Sequence, residues 1–263
     1  MTNKMDLVCH PAGICFCCVL RRGRDTLKAA EKPLRELAYV DVAAKGLLFD
    51  MDGVLISSIA SVNRCWRRWA AHYEVPNADK FVIAHGTRAV DIIVGLRPDF
   101  GPEQIAVGLR LIEDMEIDDM ADLKVLPGVK ALLGGLPQNR WTIVTSATRR
   151  LTLARLAEAG LPVPELLIAG DDVTHGKPHP EPYLTGARRL GFAPEECVVV
   201  EDAPSGVGSG KAAGSRVLGV LGTHRAEELY AAGAEWVTAS LAGVSAGIAE
   251  DGLKISFEAV HRA

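Results

Sequence analysis

Nowhere in its 263 residues does this sequence hold an uninterrupted apolar run of the roughly 18–20 residues that a membrane-spanning helix requires, so no segment is expected to enter a bilayer. Positive charge is not in excess either: 29 Lys and Arg face 33 Asp and Glu, the formal net charge is -4, and the two signs are interspersed. That balance removes the long-range attraction on which a nucleic acid or an anionic membrane surface relies, and neither is expected as a partner. Internal repeats and low-complexity tracts are also missing, although Ala and Gly are frequent after residue 231.

A disulfide framework is missing too. Four of the six cysteines, Cys9, Cys15, Cys17 and Cys18, crowd near the start, while Cys65 and Cys197 stand alone. Cys15 and Cys18 have the C-x-x-C spacing of a metal or redox pair, yet no second well-spaced ligand pair follows them. The stretch Leu7 to Leu20 is apolar, but His10, Pro11 and Gly13 interrupt it. Arg21, Arg22 and Arg24 come after it, the reverse of a secretory leader. Residues 1–44 are therefore expected to form a poorly ordered extension, with at most a short helix over 25–40 because Pro33 interrupts that pattern. The protein is expected in the cytoplasm.

What is present is enough apolar material, 48% hydrophobic against 24% charged, for one substantial core and a small second one. Short apolar or β-branched runs at Gly46–Asp50, Trp141–Thr145, Leu166–Ala169, Cys197–Val200 and Val217–Val220 are separated mostly by helix-length segments. Continuously apolar strands alternating with helices predict an α/β fold with a doubly wound parallel sheet covered on both faces. Between the first two runs the pattern turns helical, over Ser61–His72, Arg88–Leu96 and Glu103–Asp119, and Pro127-Gly128 marks the return to the sheet. The expected division is an extension at 1–44, a core at 45–60 and 126–240, a helical cap at 61–125 and a C-terminal segment at 241–263.

In such sheets ligands bind beyond the carboxyl ends of the strands, so the polar residues found there are the candidates for chemistry. Asp50-Met-Asp52-Gly53 follows the first strand; two carboxylates one residue apart suit a nucleophile and a proton carrier, though a bare D-x-D-G fits an Asx-rich turn as well. Thr145 and Ser146 follow the second run, where a helix start offers N–H groups to a phosphate; a plain helix cap reads the same way. Lys177 sits in Gly176-Lys-Pro-His-Pro180, held on a stiff loop by its prolines. Glu201 and Asp202 end a buried strand side by side, and adjacent acids there repel each other unless a cation compensates. Oxygen-only ligands of this kind select Mg²⁺. His175 and His179 flank the lysine and are read as spectators.

Taken in order, DMDGV at Asp50, Thr145-Ser146-Ala147, Lys177 and Glu201-Asp202 resemble the four motifs of the haloacid dehalogenase superfamily, over roughly residues 45–240. The insert is similar to the helical cap of its sugar-phosphatase-like and phosphoglucomutase-like branch. DMDGVLISS, HGTR, TSATRR, GKPHPEPYL and VVVEDAPSG are most similar to the glycerol-phosphate and deoxyglucose-phosphate phosphatases. The resemblance implies a phosphatase acting on a small phosphorylated metabolite, a sugar or polyol phosphate. Asp50 would be the nucleophile, Asp52 the proton carrier, Ser146 the phosphate-binding hydroxyl and Lys177 the charge partner. Mg²⁺ would be held by Asp50, Asp52 through its backbone carbonyl, and Asp202, with Glu201 acting through a water. Thr145, Ala147 and the cap residue Arg88 would contact substrate, while Trp66 and Trp69 are expected to pack inside the cap. Two departures stand out: Ser57 replaces an Asp that many relatives carry, and Val62 stands near the position of a histidine that serves the phosphoglucomutases. A mutase-type phosphotransferase and a silent binding protein are the competing readings, and a monomer is the expected state.

Overall fold

The structure is a computed structural model and describes residues 38–83 and 86–262. The cysteine cluster at 9–18, residues 25–37 of the expected short helix and His85 lie outside the described residues; residues 38–40, the end of that expected helix, are strand instead. Among the described residues no helix is long and apolar enough to cross a membrane.

Among the described residues the regular fold starts at β1 (Ala38–Ala44), before the expected boundary near Lys45. Its side chains alternate, with Tyr39, Asp41 and Ala43 exposed and Val42 and Ala44 buried, as in a strand with one wet face. Its partner is β10 (Gly252–Ala259), which pairs antiparallel with it from Ala38↔Ala259 to Ala44↔Leu253 and also with β9 (Val244–Ala249). The segments expected as an extension and a C-terminal tail thus build a three-stranded sheet, order β1-β10-β9. No local pattern announces that pairing, because its two main strands stand at opposite ends of the sequence.

The central sheet contains β2 (Gly46–Phe49), β5 (Trp141–Ile143), β6 (Cys197–Glu201), β7 (Arg216–Val220) and β8 (Trp236–Thr238), all parallel, in the order β5-β2-β6-β7-β8. Strand side chains alternate between faces, and the two faces feed separate cores. Leu47, Phe49, Trp141, Ile143, Val198 and Val200 pack with α4 (Val129–Gly135), α5 (Arg149–Ala159) and the terminal sheet. Leu48, Val199, Val217 and Val237 pack instead with α6 (Glu181–Leu190), α7 (Pro204–Ala212) and α8 (Ala226–Ala232). This is the doubly wound arrangement expected. Two strand expectations change. Leu166–Ala169 forms no strand: it meets the edge of β5 at one bridge, Val144↔Ile168, and turns away at Gly170. β8 was not anticipated.

The chain leaves the sheet through β3 (Ile56–Ser57) and returns through β4 (Lys124–Val125), which pair antiparallel. Between them lie α1 (Ile59–His72), α2 (Ala89–Leu96) and α3 (Pro102–Asp118). These helices bury their own cluster around Trp66, Trp69, Ile93 and Ile112, so the insert carries a second small core. Trp69 also donates its indole N–H to the Gly108 carbonyl at 2.8 Å.

Candidate active site

Parallel strands share one carboxyl rim, and the order β5-β2-β6 places Asp50 between Thr145-Ser146 on one side and Glu201-Asp202 on the other. Lys177 reaches this rim from the loop before α6. Its ammonium donates to Asp50 Oδ1 at 2.7 Å, to Glu201 Oε1 at 2.7 Å and to the Val144 carbonyl at 3.1 Å, which uses all three of its protons. Glu201 Oε1 also accepts from the Tyr183 hydroxyl at 2.8 Å. Its Oε2 accepts from the N–H groups of Asp202 at 2.9 Å and Ala203 at 3.1 Å. A carboxylate has about four acceptor sites, so the water-mediated role expected of Glu201 finds none open. Glu201 stands behind Lys177 as a counter-charge. Thr223 donates to Asp202 Oδ2, and Gly53, at φ +91°, lies so close to that carboxylate that no Cβ would fit.

Charge in this cluster does not balance. Asp50, Glu201 and Asp202 are buried, with one carboxylate oxygen from each within 4.8 Å of the others, against the single ammonium of Lys177. Burial pushes Asp50 up to about 7; Lys177 pulls it back and the Glu201 charge adds to the rise. Burial, then repulsion from Glu201 and Asp50, holds Asp202 well above the ordinary carboxylate range. Burial alone would lower Lys177, yet the carboxylates of Asp50 and Glu201 overcome it and keep the ammonium charged. Such a set of oxygen donors with surplus negative charge fits a divalent cation.

Asp52 is held differently. Its side chain is a third exposed, and Oδ1 accepts from Ser58 Oγ at 3.0 Å. Arg155, on α5 and almost wholly buried, donates from Nη1 to Oδ1 at 3.0 Å and to Oδ2 at 2.9 Å, and from Nη2 to Glu116 of α3 at 3.3 Å. Burial pushes Glu116 up to about 7, with Arg155 pulling it down. Above these groups opens a cleft between core and insert. Its floor is Asp50, Asp52, Thr145 and Ser146; its roof, from the insert, is Val62, Trp66, Ile92 and Ile112, with Glu113 and Glu116 as the polar groups.

Asp50, Asp52, Thr145, Ser146 and Ala147 therefore meet at one cleft, with Lys177, Glu201 and Asp202 directly beneath or beside its floor. The hydroxyls are engaged within the protein: Ser146 Oγ donates to the Gly86 carbonyl at 2.6 Å, and Thr145 Oγ1 accepts from the Ala147 N–H at 3.1 Å. Trp66 and Trp69 pack in the insert as expected, and Trp66 also borders the cleft. Arg88 departs from expectation, since it does not line the cleft. Its Nη1 donates to the carbonyls of Val173 at 3.0 Å and Thr174 at 3.1 Å, and Nε pairs with Asp91 at 2.8 Å. A Cβ on Gly176 would lie 2.6 Å from Arg88 Nε, so glycine there lets the guanidinium lie against the loop. Arg88 fastens the insert to the core.

His175, His179 and Glu181 form a second group with metal-ligand character on the surface. Its carboxylate is already taken by the N–H groups of Thr174 at 2.8 Å and His175 at 2.9 Å and by the His175 ring, which is the bonding of a loop closing onto the start of α6. Sequence reasoning missed Ser58, Arg155, Tyr183, Thr223, Glu113 and Glu116. For Arg155 a signal existed: it lies four residues after Leu151 and one before Leu156, on the face that α5 buries.

The family model of the haloacid dehalogenase-like hydrolases matches residues 44–214. The chain is 40% identical over 181 residues to hexitol phosphatase A of Escherichia coli, covering 67% of this chain and 82% of that protein. It is 31% identical over 210 residues to glycerol-1-phosphate phosphohydrolase 2 of Saccharomyces cerevisiae, covering 76% and 84%. Among solved structures, CbbY from Rhodobacter sphaeroides in complex with phosphate superposes with a TM-score of 0.64 at 26% identity, covering 76% of this chain and 95% of that one. The chain belongs to the haloacid dehalogenase-like hydrolases.

Proposed function

We propose that this hydrolase is a Mg²⁺-dependent phosphatase that frees the alcohol of a sugar phosphate or polyol phosphate in the cytoplasm, through an aspartyl-phosphate intermediate. The observation that carries the reading is the buried Asp50 carboxylate, bound by Lys177 at 2.7 Å and sharing a small space with Asp202 at the floor of a cleft. Asp50 attacks phosphorus while the bond to the leaving oxygen breaks, and Asp52, which faces the same cleft, supplies the proton to that oxygen. Asp52 then takes a proton from the water that releases phosphate from Asp50. Lys177 offsets charge on the nucleophile and the phosphoryl oxygens, and Ser146 turns its hydroxyl from Gly86 to a phosphoryl oxygen. Asp50, Asp202 and the Asp52 backbone carbonyl would hold Mg²⁺, which when bound neutralises the phosphoryl group and the clustered carboxylates.

The relatives named as acting on hexitol phosphate and glycerol 1-phosphate support a neutral polyol chain as the part of the substrate that enters the cleft. Val62 supports hydrolysis over phosphoryl exchange between positions of one sugar, because the residue bordering the cleft there has no proton to carry. The test is a panel of sugar and polyol phosphates assayed with Mg²⁺ and after chelation. Free phosphate and alcohol in equal amounts, lost on chelation and lost in Asp50→Asn with the fold retained, is the expected result. Isomerised sugar phosphate without phosphate release, or full activity in Asp50→Asn, would overturn the proposal.

A further inference from the structure

A proton carrier needs one oxygen that can hold the proton toward the leaving group. Of the roughly four acceptor sites on a carboxylate, Ser58 and Arg155 fill both on Asp52 Oδ1, and Arg155 fills one on Oδ2. One site remains, on Oδ2. Arg155 lies 103 residues away in sequence and is buried to 4% exposure; a guanidinium so far from water requires partners with opposite charge. Those partners are a carboxylate of the sheet rim and a carboxylate of the insert, Asp52 and Glu116.

We propose that Arg155 is a positioning residue that fixes the Asp52 carboxylate so that Oδ2 carries the catalytic proton, and that its second nitrogen ties this orientation to the helical insert through Glu116. The proposal rests on the reading of Asp52 as proton carrier given above. In the first half-reaction an Asp50 oxygen bonds to phosphorus, the bond from phosphorus to the leaving oxygen breaks, and the proton on Oδ2 passes to that oxygen. In the second, water bonds to phosphorus, the bond to Asp50 breaks, and a water proton returns to Oδ2. Throughout, Arg155 stays protonated and exchanges nothing; it keeps the carboxylate from rotating. Placing the insert over the rim and aiming Asp52 therefore depend on one side chain.

The test exploits leaving groups. Proton donation matters for an alkoxide such as that of glycerol phosphate and hardly matters for p-nitrophenolate, and kcat/KM reports the steps through phosphoryl transfer. Asp52→Asn is expected to lose about 10³-fold in kcat/KM on glycerol phosphate and less than about 10-fold on p-nitrophenyl phosphate. Arg155→Met is expected to follow the same preference, about 10²-fold against about 3-fold, and Arg155→Lys, which keeps the charge without the fork, to recover part of the loss. If Arg155→Met does not fold, Arg155→Lys alone carries the comparison. Glu116→Gln is expected to add nothing to the loss in Arg155→Met, because it acts through that guanidinium. Equal losses on both substrates in the Arg155 variants, with Asp52→Asn still selective, would overturn the positioning role alone. Equal losses in Asp52→Asn would overturn the proton-carrier reading itself, and the proposal with it.

Discussion

On the floor of the cleft, Lys177 holds Asp50 and Glu201 in a buried knot whose donors are all engaged; between core and insert, Arg155 and Arg88 reach across from one body of side chains to another. The floor concentrates more negative charge than its single ammonium balances, and rigid strand ends hold it there. Between core and insert fewer carboxylates share each cation: Arg155 faces Asp52 and Glu116, Arg88 faces Asp91, and each of these cations also bridges two elements. The difference teaches where the chemistry and the selectivity divide. A stiff, overcharged floor is suited to receive a cation and a phosphoryl group, and paired groups between insert and core are suited to set how the rest of the substrate meets them.

The sharpest way to break that contrast is at the floor. Lys177→Met leaves Asp50, Glu201 and the Val144 carbonyl without their shared donor. Removing one partner of a buried ion pair costs about 3–5 kcal/mol, so denaturant unfolding should show a loss of that order, with turnover down by at least about 10³-fold. An unfolding midpoint unchanged from wild type would mean that the knot is not what holds the floor. Next in size is Arg88→Ala, between insert and core. Since Arg88 binds backbone carbonyls and not the cleft, kcat/KM should fall by less than about 10-fold and by the same factor for glycerol phosphate and a hexose phosphate. A loss confined to one substrate would return Arg88 to substrate recognition. The smallest effect concerns Glu116, whose carboxyl is raised by burial to about 7 from 4.5. The folded state then binds its proton more tightly than the unfolded chain, and this contribution to stability is complete below about pH 4.5 and lost as pH rises through about 7. Glu116→Gln should flatten the decline in melting temperature across that interval, a change of roughly 1–3 kcal/mol in the slope's total. A wild-type profile that is flat there would show that Arg155 holds Glu116 ionised throughout.

Most of the floor was legible in the sequence because Asp50, Thr145-Ser146 and Asp202 each follow a short apolar strand, and a parallel sheet brings strand ends together whatever separates them in the chain. Lys177 was placed by its proline-flanked loop instead, since no strand leads into it. Tyr183 could not be placed: it falls inside α6, where an aromatic on a buried face looks like ordinary packing, and only the fold reveals its hydroxyl on Glu201. The roof was poorly legible for a similar reason. Glu113 and Glu116 of α3 did not stand out in the sequence, and Arg88 was expected to contact substrate, because which way a helix of the insert faces is decided by its packing on the core. At the level of the fold the doubly wound sheet and the insert could be read from apolar periodicity, whereas β1 and β10 depend on a partner with no local signature.

That last pairing has a consequence for how the protein comes into being. Asp41 of β1 accepts a hydrogen bond from Ser256 of β10, 215 residues later. During synthesis β1, whose Val42 and Ala44 are buried in the finished molecule, emerges long before the strand it pairs with. The parallel sheet can assemble as its strands arrive, but its outer sheet must wait for translation to pass residue 259 and for a long loop to close. Until then β1 lacks the strand it pairs with in the finished molecule, and a strand edge awaiting its partner is the kind that chaperones cover and that neighbouring chains can pair with.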